Sequence, residues 1–319
     1  MKKVLITGSL GQIGSELVKR LRQDLGQDQV IATDIRQIEG SPVVEDGHFE
    51  ILDVMDKDRM FQLAREKQVD TIIHLASLLS ATAEAKPQLA WHLNMTGLTN
   101  ALEICRELGL KLFTPSSIAA FGPNTPADNT PQDTIQRPTT MYGVTKVAGE
   151  LLCDYYFTKF GVDVRGLRYP GLISYDTEPG GGTTDYAVDI YYEALKNKTY
   201  TSYIDKGSFM DMMYMPDAID AIIDLMNADP SKLEHRNAFN ISAMSFEPEE
   251  IAASIRKYIP EFTISYQVDP VRQNIANSWP NSIDSSSARK EWGFNPKYDL
   301  DAMTRDMLEK LSAKLGIEY

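Results

Sequence analysis

The chain has 319 residues, 43% hydrophobic and 24% charged, the proportions of an ordinary globular protein with a large core. A formal net charge of -13 and the lack of any Lys/Arg-rich run argue against nucleic acid as a partner. Two cysteines (Cys105 and Cys153), four histidines without ligand spacing and no apolar run near the ~20 residues of a membrane span leave no metal site or membrane segment to expect, and a cytoplasmic location is the simplest expectation.

The first half alternates strand and helix patterns. Val4 to Thr7 is a short apolar run, as in a strand covered on both faces. Residues 12–23 then repeat apolar positions at helical spacing through Ile13, Leu17, Val18 and Leu21. Val30 to Thr33 and Phe49 to Leu52 read as the next strands, residues 59–66 as a helix, and Thr71 to Leu75 as a fourth strand. A long helix over 88–108 leads to strand five at Lys111 to Thr114. A second long helix over 141–160 leads to a sixth strand at Val162 to Leu167. This alternation predicts an α/β fold, a doubly wound parallel Rossmann sheet, in residues 1–167. From residue 168 to 319, glycines and prolines punctuate shorter elements. That texture predicts a smaller C-terminal α+β lobe, with about 205–226 packing back on the first domain.

Strand one runs into Gly8-Ser9-Leu10-Gly11-Gln12-Ile13-Gly14, a G-x-x-G-x-x-G loop that opens a helix. Glycine lets the backbone turn tightly and approach a pyrophosphate, and the free N–H groups of the helix start, from Gln12 and Ile13 onward, favour an anion. Asp34 ends strand two, 20 residues beyond Gly14, where a carboxylate would accept from ribose hydroxyls and repel a 2′-phosphate. NAD is therefore expected over NADP. Asp53-Val54 after strand three suits the adenine edge, and Leu75-Ala76 after strand four suits the nicotinamide half.

Tyr142-Gly143-Val144-Thr145-Lys146 puts Tyr142 and Lys146 at i and i+4, on one helical face. Tyr titrates near 10, too high for a general base at neutral pH, and a neighbouring ammonium favours the phenolate. Ser116-Ser117 ends strand five; Ser117 is the candidate partner for the reacting oxygen, and the sequence alone leaves Ser116 as the alternative.

With these motifs in order, the chain resembles the extended short-chain dehydrogenase/reductases, the group that includes the nucleotide-sugar epimerases. The likeness covers nearly the whole length. It rests on Gly8/Gly11/Gly14, Asp34, Asp53-Val54, His74-Leu75-Ala76, Asn94, Ser116-Ser117 through Phe121-Gly122, Tyr142/Lys146 and Arg168-Tyr169-Pro170-Gly171. It adds Asn94 and Tyr169 to the candidate cofactor contacts. Leu78-Leu79-Ser80-Ala81, Pro179 to Ala187, Ser278-Trp279-Pro280 and Ser282-Ile283-Asp284 are similar to the L-threonine 3-dehydrogenases of that superfamily. That resemblance implies NAD-dependent oxidation of threonine's secondary alcohol to 2-amino-3-oxobutyrate, without a metal.

A small zwitterion needs donors for its carboxylate and acceptors for its ammonium converging on one small pocket. Ser80, Thr183 and Thr184 carry suitable hydroxyls. Asp185 suits the ammonium, or equally caps the following helix. Trp279 closes the pocket or is a core aromatic. Gly180-Gly181-Gly182 suggests a lid. The helices over 88–108 and 141–160 carry surplus apolar residues, including Leu102, Cys105, Leu151 and Tyr155. In the resembling family these helices pair about a two-fold axis, so a homodimer is expected. Two other readings stand beside this one. A sugar-nucleotide epimerase must neutralise a diphosphate, which fits poorly with 15 Lys/Arg against 24 Asp/Glu in residues 168–319. A non-catalytic NAD-binding protein would have little use for Ser117, Tyr142 and Lys146 together.

Overall fold

The computed structural model describes residues 1–178 and 182–319. Gly180 and Gly181 of the expected lid, with Pro179, lie outside the described residues. The chain divides into two compact units, each discontinuous in sequence. The first comprises Met1–Ala120, Thr140–Arg168 and Ile219–Phe239, and the second Phe121–Thr139, Tyr169–Ala218 and Asn240–Tyr319.

The strands of the first unit are β1 (Val4–Thr7), β2 (Val30–Asp34), β3 (Phe49–Ile51), β4 (Thr71–His74), β5 (Lys111–Phe113), β6 (Ser116–Ser117) and β7 (Val164–Arg165). Six of them form one sheet, ordered β3-β2-β1-β4-β5-β7, and every pairing is parallel. The connecting helices are α1 (Gln12–Leu25), α2 (Pro42–Glu45), α3 (Lys57–Glu66), α4 (Ser80–Ala85), α5 (Pro87–Leu108) and α6 (Met141–Phe160). This is the doubly wound sheet that the alternating pattern predicts. Its strand order reverses between β1 and β4, where such sheets bind ligands. Val4 pairs with Val30 on one side and Thr71 on the other, and all four β1 residues are buried, as a central strand covered on both faces requires. Thr140 caps α6 by accepting the Gly143 N–H at 3.1 Å.

The sixth strand departs from expectation. It breaks at Gly166 into β7 and β8 (Leu167–Tyr169). A Cβ at Gly166 would lie 2.6 Å from the Thr114 carbonyl oxygen. Its own carbonyl accepts the Phe239 N–H at 3.0 Å. The backbone steps sideways where only glycine fits.

The cysteines are core residues. Cys105 on α5 and Cys153 on α6 are buried in one cluster with Leu5, Ile72, Leu102 and Leu112, and burial pushes both thiols well up. Leu102 and Cys105 therefore belong to the interior, which corrects their expected place on a spare apolar face. Leu151 and Tyr155 do face outward, 62% and 53% exposed.

Further along come β9 (Gly171–Ile173), α7 (Tyr186–Asn197), β10 (Thr199–Ser202), β11 (Met210–Tyr214), α8 (Met215–Asn227), β12 (Phe239–Asn240), β13 (Met244–Phe246), α9 (Pro248–Arg256), β14 (Thr263–Tyr266), α10 (Pro270–Ala276), α11 (Ser286–Trp292) and α12 (Leu300–Leu315). In the second unit β13-β11-β9 form one small sheet and β10-β14 another. The core there gathers Tyr186, Tyr191, Tyr214, Phe246, Phe262 and Met307. One acid is sunk beside it. Asp211 on β11 is fully buried and accepts the Ser242 hydroxyl at 2.6 Å and the Ile283 N–H at 2.7 Å. Burial pushes its carboxyl up to about 7 despite those donors.

Candidate active site

The glycine loop does what its spacing predicts. Gly8 has φ +68°, and a Cβ there would lie 2.7 Å from the Ala76 amide nitrogen after β4. A Cβ at Gly14 would lie 2.4 Å from the Gly8 carbonyl oxygen. The loop thus packs on the neighbouring strand end and on its own helix, as a pyrophosphate cradle must. Gly11 is the N-cap of α1 and makes no side-chain cap bond, so the N–H groups of Gln12 and Ile13 face outward at the positive end of the helix. Asp34 ends β2 half-buried and accepts the Leu10 N–H at 3.1 Å, which ties the acid to the loop. Asp53 is exposed and turns back to accept the Met55 N–H, while Val54 is buried. The cradle, the open helix end and the carboxylate together fit a dinucleotide.

On the other side of the switch point, Asn94 of α5 binds the Leu78 backbone twice, accepting its N–H at 2.8 Å and donating to its carbonyl at 3.2 Å. It also donates to Thr145 Oγ1 at 3.2 Å. Its amide clasps the segment carrying Leu75 and Ala76 to α6. Ser80 begins α4, a short helix that the sequence reading left out. His74, at the end of β4, shares a 3.0 Å hydrogen bond with the Thr7 hydroxyl. Burial, with the Lys146 ammonium nearby, pushes its imidazole down to about 4, so it is neutral at physiological pH.

Helix α6 presents Tyr142 and Lys146 one turn apart, both half-buried. Lys146 Nζ donates to the Pro115 carbonyl at 2.7 Å and lies 5.2 Å from the centroid of the Tyr142 ring. The two serines separate cleanly. Ser116 is buried and donates its hydroxyl to Glu150. Ser117 is half-buried and its Oγ accepts the Ala119 N–H at 3.2 Å. Ser117 is therefore the serine open to a ligand. His74, Ser116, Lys146, Glu150 and Asn237 are among the residues that line a cavity of about 40 Å³ between β4, β6 and α6. Glu150, which the motif reading passed over, stands four residues beyond Lys146, so helical spacing alone could have drawn attention to it.

In the second unit, Thr183, Thr184 and Asp185 form a single turn of 3-10 helix. Asp185 is the N-cap residue of α7 but makes no side-chain cap bond to it; its carboxylate instead reaches back to accept the Gly182 N–H at 2.7 Å, which corrects the expected cap on the following helix. Thr183 is buried, and the Thr184 methyl packs on Gly171. Trp279 is half-buried just after α10. Tyr169 is buried and donates its hydroxyl to the Ala218 carbonyl at 2.8 Å.

Among the described residues no group of three or more His, Cys, Asp or Glu side chains is placed to hold a metal ion, and no helix is long and apolar enough to cross a membrane.

A tight glycine loop with an acid at the switch point, and a Tyr–Lys helix beside a serine-bearing strand end, are the arrangement of an enzyme that works on a bound dinucleotide. The chain belongs to the NAD dependent epimerase/dehydratase family, whose model matches residues 4–242, and NAD is its cofactor. Its sequence is 63% identical over 314 residues, 98% of either chain, to an uncharacterized epimerase/dehydratase of Staphylococcus aureus (strain MRSA252). Among solved structures it is similar to an L-threonine dehydrogenase from Clostridium difficile, with 71% identity, TM-score 0.98 and 98% of each chain covered. It is also similar to a monomeric L-threonine 3-dehydrogenase from a metagenome, with 42% identity, TM-score 0.93, and 98% of this chain and 99% of that one covered.

Proposed function

We propose that this chain oxidises L-threonine at its secondary alcohol to 2-amino-3-oxobutyrate. The observation that carries the reading is the 71% identity, over 98% of both chains, to the Clostridium difficile L-threonine dehydrogenase. NAD, when bound, supplies the hydride acceptor. Residues 1–167 would hold it and residues 168–319 would mainly hold the substrate. Gly8, Gly11, Gln12, Ile13 and Gly14 would receive the pyrophosphate, and Asp34 the adenosine ribose. Asp53 and Val54 would border the adenine. Leu75, Ala76, Asn94 and Tyr169 would surround the nicotinamide half, with Tyr142 and Lys146 on its ribose.

Tyr142 is the general base that takes the proton from the substrate hydroxyl. Lys146 stands one turn further along α6, its ammonium held by the Pro115 carbonyl. Ser117 donates a hydrogen bond to the reacting oxygen and keeps it oriented. Ser80, Thr183, Thr184, Asp185 and Trp279 are the proposed substrate contacts. A symmetric homodimer through the outer face of α5 and α6 is part of the same reading. It rests on the exposure of Leu151 and Tyr155.

The test is a spectrophotometric screen of hydroxy amino acids and UDP-sugars with NAD and with NADP. NADH formed from threonine and NAD, with none from UDP-sugars, is the expected result. Turnover of a UDP-sugar without turnover of threonine would replace the substrate assignment.

A further inference from the structure

Helix α6 carries a third polar residue on its inner side. Tyr142, Lys146 and Glu150 follow one another at four-residue spacing, one turn apart. Glu150 is buried, and its carboxylate accepts three hydrogen bonds. Two come from Arg168 on β8, Nε at 3.0 Å and Nη2 at 2.8 Å, and the third from the Ser116 hydroxyl on β6. Arg168 is buried as well. Taking two charges out of water costs several kcal/mol per ion, and similar-sized apolar side chains fill such a place at least as stably. Stability is thus a weak reason for the pair to be there.

What it does is visible in the contacts of the strand end. Pro115 gives its carbonyl to Lys146, and Ser116 gives its hydroxyl to Glu150. Ser117 follows directly. Two successive residues of the strand end are tied to two successive turns of one helix, and β8 lies next to β6 in its sheet. Because strand residues alternate in direction, anchoring Ser116 inward also fixes which way Ser117 turns. Hydrogen bonds to an ionised acceptor are about twice as strong as neutral ones, so this anchor resists rotation of the strand end.

We propose that Glu150, held by Arg168, is a positioning residue: through Ser116 it sets the placement of Ser117 relative to Tyr142 and Lys146. The proposal deepens the dehydrogenase reading and rests on it for the roles of those three residues.

The test uses Ser116→Ala, which cuts the anchor and leaves the Glu150–Arg168 pair intact, and Ser116→Thr, which restores the hydroxyl. The full chain is assayed with threonine and NAD, and Tm is measured for each protein. Misplacing a catalytic group by about 1 Å can cost about 100-fold in rate, so a smaller shift of Ser117 is expected to cost about tenfold. Ser116→Ala should therefore lower kcat by about tenfold, with the KM values for NAD and threonine within about twofold of wild type, and Ser116→Thr should recover most of the loss. An unchanged kcat in Ser116→Ala, whatever happens to Tm, overturns the proposal. So does a loss that appears equally in KM, or one that Ser116→Thr leaves in place. If the wild-type chain does not turn over threonine, the substrate reading fails separately. The same ratio is then read on the secondary alcohol that the screen shows to be oxidised, since the anchor acts on the catalytic groups and not on the substrate.

Discussion

The ammonium of Lys146 stands 5.2 Å from the centroid of the Tyr142 ring, one helical turn along α6. Lys146 is held there by the Pro115 carbonyl, so the charge does not swing freely.

Replacing Tyr142 by Phe removes the base and keeps the ring. Turnover of threonine should fall by about 100-fold or more, the usual contribution of a positioned base. NAD affinity, read by quenching of intrinsic fluorescence, should stay close to wild type. A variant with near wild-type kcat would take Tyr142 out of the mechanism.

Asp34 holds the Leu10 N–H and is the proposed ribose acceptor. Asp34→Ala should weaken NAD by roughly 10- to 100-fold, the worth of a charge-assisted hydrogen bond, and should narrow the preference over NADP. Asp34→Asn keeps an acceptor for Leu10 and separates loop disorder from lost ribose recognition. Unchanged cofactor preference in both would place the discrimination elsewhere.

Thr184 packs its methyl on Gly171, and its hydroxyl is the proposed contact to the substrate. Thr184→Ala should raise the KM for threonine roughly tenfold, the cost of one lost hydrogen bond to a charged group, and leave that for NAD alone. Thr184→Ser should lie near wild type. Equal damage to both constants would remove Thr184 from the substrate contacts.

Asp211 offers a stability signature. Its carboxyl is pushed up to about 7 in the folded chain, against 3.8 for an ordinary aspartate. Between those values the folded chain keeps a proton that the unfolded chain has released. Stability therefore falls as pH rises through that window and levels off above it. Over the whole window the fall should amount to about 4 kcal/mol, at 1.36 kcal/mol per pK unit. Asp211→Asn can still accept from Ile283 and donate to Ser242, and it should flatten that part of the profile. Urea midpoints from pH 5 to 8 that run parallel in the two proteins would contradict the assignment.

Leu151 stands outward on α6. If that face joins two copies, Leu151→Glu should convert a dimer mass to a monomer mass by light scattering at micromolar concentration. A wild-type monomer mass under those conditions would contradict the assembly directly.

Much of this architecture is written in local pattern. The short apolar runs, the glycine loop and the Tyr–Lys spacing each involve residues within about twenty positions of one another. The limits of the four long helices of the first half followed from them to within about two residues, whereas the strand order and the short helices α2 and α4 did not. The break at Gly166 depends on Thr114, Arg236 and Phe239, none of them near it in sequence. The choice between Ser116 and Ser117 depends on Glu150, 34 positions away. The surplus apolar residues of α5 and α6 look alike in sequence, yet Leu102 and Cys105 face the sheet while Leu151 and Tyr155 face away. The inward acid at Asp211 reads as an ordinary surface residue until the fold brings Ser242 and Ile283 against it.

Cys105 and Cys153 belong to that same interior, and burial keeps both thiols protonated far above physiological pH. Thiolate is the reactive form, so the folded chain shields both sulfurs from alkylating reagents. They sit on the two long helices, α5 and α6, beneath which the sheet lies. A maleimide added to the native protein thus labels only molecules in which those helices have lifted from the sheet. The rate of labelling clocks the opening of this one layer, with no probe introduced and no catalytic group disturbed.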